Sequence, residues 1–289
     1  MHQHSHDDSS KRIGLAFYLN LIFTAIEFVG GWLTNSTAIM ADAVHDLGDS
    51  LSIGSAWLLN RLGKRSANDE FTYGFLRLSL FGALINGLVL IAGSVWVLSE
   101  SIPRLVDPVM PMTEGMLALA LLGVTVNGVA AYRLSKGNSL NEKVLNWHLL
   151  EDALGWIAVL IVSLVMQFVE WPILDPLLSI VFTLFILVNV LRNLWATAKL
   201  FFQAVPDKHI SDAIKKSLLD VASVQDIHHL HLWSLDGEHH VLTAHIVLTA
   251  ECNASHRLIK EEIAKALANY ELEHTTIEIE VNDEVCRDQ

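Results

Sequence analysis

Apolar stretches of about 20 residues, the length a helix needs to cross a bilayer core, recur six times before residue 205 of this 289-residue chain. They lie near 13–34, 38–60, 74–100, 114–135, 144–169 and 173–203. Pro103, Pro108, Pro111, Pro172, Pro176 and Pro206 all fall at or near the ends of these stretches, where a helix tolerates them. After Pro206 the period changes. Lys208–Val221 has the spacing of an amphipathic helix. Val224–Leu235 and His239–Leu248 alternate like strands, with a tight turn expected at Asp236-Gly237. Ser255–Tyr270 sets Ile259, Ile263, Ala266 and Leu267 on one helical face, and Thr275–Val281 alternates again. The pattern predicts an all-α six-helix transmembrane bundle over 13–204. A short His-containing tail (1–12) precedes it, and a small α+β domain of order αββαβ (205–289) follows.

Composition supports the membrane assignment. Apolar residues make up 52% of the chain and charged ones only 18%, against about 25% in a typical soluble domain. The opening MHQHSHDDSSKR is polar and does not read as a secretory signal. Basic residues cluster on one side of the predicted spans: Lys11 and Arg12, then Arg61, Lys64, Arg65 and Arg77, then Arg133, Lys136 and Lys143. The opposite loops carry only Arg104. With an even number of spans, this places both termini in the cytoplasm. The net charge is −13, and residues 205–289 hold 16 Asp/Glu against 7 Lys/Arg, a balance of −9. That excess argues against nucleic acid and for cations as partners. Cys252 and Cys286 fall in the same reducing part, where a disulfide is not expected.

Only two of the 14 histidines lie between residues 7 and 208. Each precedes an aspartate by four residues within an apolar stretch: His45 with Asp49, and His148 with Asp152. A four-residue step puts both side chains on one helical face. Ionisable groups at bilayer depth are costly and mark ion pathways, and two imidazoles with two carboxylates make a tetrahedral shell suited to a zinc-like ion. A merely polar helix face is the competing reading, but the flanks stay apolar for whole turns. Asp42 shares the face of His45 and Asp49, and Asp46 is adjacent to it. Glu27 in the first span fits either a structural or a pathway role. Asn86, Asn127 and Asn189 read as helix–helix hydrogen-bonding groups. Trp32, Trp96 and Trp171 at one set of span ends, and Trp57, Trp147 and Trp195 at the other, read as interfacial belts. In the tail, His228, His229, His231, His239, His240, His245, His256 and His274 are dense, and with Glu278 and Glu280 they suggest a second metal site. Strand alternation places His229 and His231 on one sheet face and His228 on the other. His2, His4 and His6 belong to a solvated tail with at most weak metal capture.

These motifs resemble the cation diffusion facilitator family, in its zinc-transporting branch. The resemblance rests on Asp42-Ala43-Val44-His45 through Asp49, on His148 through Asp152, and on Tyr73-Gly74 followed by Arg77. It rests also on His228-His229-Leu230-His231-Leu232-Trp233 and Thr276-Ile277-Glu278-Ile279-Glu280, and covers roughly residues 13–281. It implies a homodimer, a transport site between the second and fifth helices, a metallochaperone-like cytoplasmic domain, and metal export in exchange for protons. By position, His45, Asp49, His148 and Asp152 correspond to the transport site. His228, His245, His256, Glu278 and Glu280 correspond to a cytoplasmic regulatory site, with His231 and His274 as further candidates. Two departures stand out. Phe75-Leu76-Arg77 lacks the histidine that often precedes this arginine, so no metal site is expected there, and Ser135–Lys143 contains no histidine.

The resulting expectation is a zinc/proton antiporter exporting Zn²⁺, with Cd²⁺, Co²⁺ and Ni²⁺ as further possible cargo and Zn²⁺ as a possible regulatory ligand. An intramembrane metalloenzyme is a second class, but it needs an open metal position with a general base, and the chain has no HExxH. A membrane-anchored metal sensor is the third. Metal flux into sealed vesicles separates the three.

Overall fold

The computed structural model describes residues 3–63, 67–135, 140–249, 255–281, 284–286 and 288. Side chains are described from residue 17, except at 56, 57, 60, 61, 63, 134 and 140–145. Six long helices come first: α1 (Gln3–Thr34), α2 (Thr37–Gly63), α3 (Leu78–Ser101), α4 (Thr113–Leu134), α5 (Leu140–Phe168) and α6 (Leu174–Phe201). A 3₁₀ turn at Pro103–Leu105 follows α3. The small domain then runs α7 (Lys208–Leu219), β1 (Val224–Ser234), β2 (His240–Leu248), α8 (His256–Leu267) and β3 (Leu272–Glu280). This is the expected six-helix membrane bundle with an αββαβ domain. Helix α1 begins at Gln3 and so continues through the stretch expected as a tail. His2 lies outside the described residues, as do the side chains of His4, His6, Lys11, Arg12, Lys64, Arg65, Lys136 and Lys143.

Five helices among the described residues are long and apolar enough to cross a membrane, with windows at Phe17–Thr34, Leu78–Leu105, Thr113–Arg133, Asn146–Phe168 and Leu174–Phe201. Helix α2 has the length, at 27 residues. Its apolar character is diluted by Asp42, Asp46 and Asp49, the residues that carry its chemistry. Large apolar side chains point outward along the bundle, as they do against lipid: Leu33, Phe185 and Leu191 are exposed, and so are Trp32, Trp147, Trp171 and Trp195 of the expected belts.

Two compact bodies form, one from Met1–Leu58 with Gly82–Asn193, the other from Leu59–Phe81 with Leu194–Gln289. In the first, Trp156 of α5 is fully buried beside Ala38, Met116, Ala120 and Val159. Gly123 of α4 lies so close to this indole that a Cβ there would sit 2.2 Å from the ring. Absence of a side chain lets the two backbones approach, which is how membrane helices pack. The N-terminus of α2 is capped from another helix. Asp175, in the first turn of α6, is buried and accepts from Ser36 Oγ at 2.5 Å, Thr37 N at 2.7 Å, Thr37 Oγ1 at 2.8 Å and Ala38 N at 3.2 Å. A carboxylate on orphan amide donors at a helix start satisfies hydrogen bonds and complements the helix dipole.

In the second body the sheet order is β1-β2-β3, with β1 antiparallel and β3 parallel to β2. Ile214 and Leu218 of α7, and Ile259, Ile263 and Leu267 of α8, pack on Ile227, Leu232, Leu242, Ala244 and Ile246. Asp207 caps α7 by accepting from the His209 amide at 2.7 Å. The hairpin differs from the expected tight turn. Its connection is Leu235–His239, closed by the Leu235 amide on the His239 carbonyl at 2.9 Å. Within it Asp236 Oδ1 accepts from the amides of Glu238 and His239. Gly237 takes φ of 108°.

Candidate metal centres

Helix α2 carries His45 and Asp49, and helix α5 carries His148 and Asp152. The two faces meet. His148 Nε2 lies 3.1 Å from Asp49 Oδ2 and 3.7 Å from Asp152 Oδ2. His45 Nε2 lies 3.7 Å from both Asp49 Oδ2 and Asp152 Oδ1. One donor atom from each residue falls within 4.8 Å of all the others. Bonds of about 2.0–2.1 Å in a tetrahedron place neighbouring donors about 3.3–3.4 Å apart, so the shell has the size of one such ion. Asp49 Oδ2 and Asp152 Oδ1 are buried and face this space. These are acceptor atoms whose desolvation a cation would offset.

The surrounding contacts hold these faces in place. Asn20 Nδ2 donates to the Asp46 carbonyl at 3.2 Å and to Ser50 Oγ at 3.0 Å, tying α1 to the ligand helix. Asn86 Nδ2 donates to Ser52 Oγ at 3.0 Å, an interhelical bond of the kind expected for membrane amides. Asn86 also has a second place, because with Asn189, Ser52, Asp42 and Glu151 it lines the cavity of about 540 Å³ that reaches His45, Asp49 and Asp152. Glu27 of α1 is 1% exposed and lies beside Asp46 of the ligand helix. Asp175, which fixes the start of α2, was not singled out from the sequence. Its partners are 137 to 139 positions away, and only the folded bundle reveals them.

The cytoplasmic-type domain gathers a second donor set. His228 of β1 pairs with His245 of β2, and Glu280 closes β3. His245 Nδ1 is 2.7 Å from Glu280 Oε1, and His228 Nε2 is 3.1 Å from Glu280 Oε2. Glu278 Oε2 stands 4.0 Å from His245 Nε2. His228, His245, Glu280 and Cys286 bring four donor atoms within 4.8 Å of one another. Burial raises the Glu280 carboxyl, but hydrogen bonds from His245, His228 and Cys286 outweigh it and hold it below the usual carboxylate range. Burial pushes the Cys286 thiol up, and the carboxylates of Glu280 and Asp288 add to this. Four of the sequence candidates lie outside this set. Glu278 stands next to it, His256 is exposed at the first turn of α8, His231 is exposed on β1, and the His274 ring stacks edge-on against Tyr73 at 5.7 Å. Simple alternation fails at His228–His231. His229 has φ of 46°, and the ladder shifts register between His228 and His231. The rings of both His228 and His229 therefore lie within 5.4 Å of His245 instead of on opposite faces. Cys286 had been read only as one of two reduced cysteines and Asp288 was not singled out, and spacing alone gives no signal for either.

A six-helix membrane bundle with a His₂Asp₂ shell on two of its helices, followed by a small α+β domain, is the build of a metal transporter. The chain belongs to the cation efflux family: the family's transmembrane domain matches residues 13–202, and its cytoplasmic domain matches residues 206–282. It is similar to the zinc transporter ZitB of Pectobacterium atrosepticum, 33% identical over 96% of this chain and 88% of that protein. It is also similar to the cadmium, cobalt and zinc/H(+)-K(+) antiporter of Bacillus subtilis, 30% identical over 96% and 91%. The metal cation efflux system protein CzcD of Cupriavidus metallidurans is 28% identical over 97% and 90%. The family consists of transporters and not of enzymes, so the metalloenzyme alternative is set aside.

Proposed function

We propose that this protein is a zinc/proton antiporter that exports Zn²⁺ from the cytoplasm, with His45, Asp49, His148 and Asp152 as the transport site. The convergence of the two four-residue steps on one tetrahedron-sized space carries this reading. Zinc is the cargo because imidazole with carboxylate suits it better than hard octahedral ions, and two of the relatives described above are named for zinc. Cd²⁺, Co²⁺ and Ni²⁺ share enough of that chemistry to be secondary cargo. Binding needs deprotonated ligands, so metal entry displaces protons and proton return releases metal. The helices rock about the site to expose it to each side in turn. The distribution of Lys and Arg puts both termini in the cytoplasm, across a bacterial inner membrane. The protein works as a homodimer, and the donor set around His228, His245 and Glu280 senses cytoplasmic zinc.

The test is flux in sealed proteoliposomes carrying a zinc dye and a pH dye. Wild type moves zinc, and a proton flux runs opposite to it. Asp152→Ala reduces zinc flux to background. Zinc binding without flux in wild type would leave a membrane-anchored sensor.

A further inference from the structure

We propose that Cys286 is a metal ligand that completes the cytoplasmic donor set as a His₂-Glu-Cys shell. The inference rests on the regulatory reading of His228, His245 and Glu280 and adds a soft donor to it. Cys286 lies beyond residue 282, where the match to the family's cytoplasmic domain ends.

The chain brings the thiol there by a turn. After β3, the Val281 amide donates to Glu284 Oε2 at 3.1 Å and the Glu284 amide to the Val281 carbonyl at 3.0 Å, folding the segment back on the sheet. Cys286 Sγ then sits 3.5 Å from His245 Nδ1 and 3.4 Å from the Asp288 carbonyl, and it also hydrogen-bonds Glu280. Two of its three companions, His245 at 8% and Glu280 at 4% exposure, are buried polar groups facing the same space. Bonds of about 2.3 Å to sulfur and about 2.0–2.1 Å to nitrogen place sulfur and nitrogen about 3.5 Å apart on a tetrahedral ion. The observed separation matches. Binding releases the thiol proton to solvent, and the thiolate takes its place on the metal.

The consequence is selectivity. A His/carboxylate site accepts many divalent ions, whereas a thiolate turns the shell toward zinc, cadmium and other soft ions and away from Mg²⁺ and Mn²⁺.

Cobalt(II) tests this in the full-length protein, because a thiolate gives it a near-ultraviolet charge-transfer band that imidazole and carboxylate do not. The transport site holds no sulfur, so it contributes nothing to that band. With only two cysteines in the chain, Cys252→Ser is the control. The expected result is a band in wild type and in Cys252→Ser that disappears in Cys286→Ser and in His245→Ala. Cobalt affinity of the cytoplasmic site in Cys286→Ser falls by at least the roughly 10-fold that losing an outer-shell partner costs. A band that survives Cys286→Ser overturns the proposal. So does a site that loses cobalt in His245→Ala but never shows the band, which leaves a His/carboxylate sensor. If His245→Ala binds as much cobalt as wild type, the regulatory reading itself fails.

Discussion

In the proposed transport shell two neutral imidazoles and two carboxylates of one negative charge each would hold a divalent cation with the sum at zero. That balance matters at bilayer depth, where an uncompensated charge is costly. His45→Asp makes the empty shell more negative and its donors harder. Zinc flux should fall, while the ratio of manganese flux to zinc flux rises several-fold in vesicles. An unchanged ratio would remove His45 from the selectivity argument. The residues of this shell were legible because a helix converts a four-residue step into a shared face, and apolar flanks make each ionisable group conspicuous. Asp175 was not legible by the same logic. It reads as an ordinary first-turn acid until the folded bundle places it on Thr37 and Ala38. Cys286 was hidden for a related reason, since its neighbours come from β1, β2 and β3.

At the level of elements, the same local rules worked where a period persists and failed where it breaks. The six long helices fall on the six apolar stretches, and α7 and α8 follow the amphipathic period. The hairpin does not, because the side chain of Asp236 replaces backbone bonds in its connection. His239 Nδ1 lies 2.7 Å from Asp236 Oδ2. Burial raises the Asp236 carboxyl, but the amides of His239 and Glu238 and the imidazole outweigh it and hold it low. The Asp236 hydrogen bond raises His239. The carboxylate's contribution is complete above its unfolded pKa of about 3.9 and is lost as pH falls through the folded value. That of the imidazole is complete below about 6.5 and is lost as pH rises through its folded value. The hairpin is therefore tightest between these limits. Exchange of the Leu235 amide, corrected for intrinsic rates, should be slowest in that window, and Asp236→Asn should flatten the profile. The cap on α2 gives a second expectation at this scale. Asp175→Ala leaves two amides and two hydroxyls without their acceptor. It should cost about 2–4 kcal/mol, read as a lowered unfolding temperature in detergent, with Asp175→Asn losing less.

For the whole molecule, the charge division already visible in the sequence frames how the small domain responds to metal. Residues 205–289 carry 16 acidic against 7 basic side chains, so two copies repel unless cations lie between them. Zinc should draw the domains of a dimer together, as an inter-domain distance probe would report. The structure ranks the histidines for this response. His245 sits within the donor set, while His256 is exposed outside it. His245→Ala should shift the zinc dependence of the compaction to higher concentration by about 10-fold or more. His256→Ala should leave it within about twofold. Equal shifts would place His256 in the site through the second copy.

The carboxylate of Asp175 also bears on how the proposed transport site would let a metal go. It pins α2 at Thr37 and Ala38, and His45 and Asp49 lie further along the same rod. At 1.5 Å per residue, His45 is about 12 Å and Asp49 about 18 Å from that end. A tilt of about 10° about such a fulcrum would carry Asp49 about 3 Å and His45 about 2 Å, each more than the slack of a metal bond. In the proposed exchange the lever would be graded, with the anionic ligand travelling furthest, so that an incoming proton would meet a carboxylate already drawn from the ion.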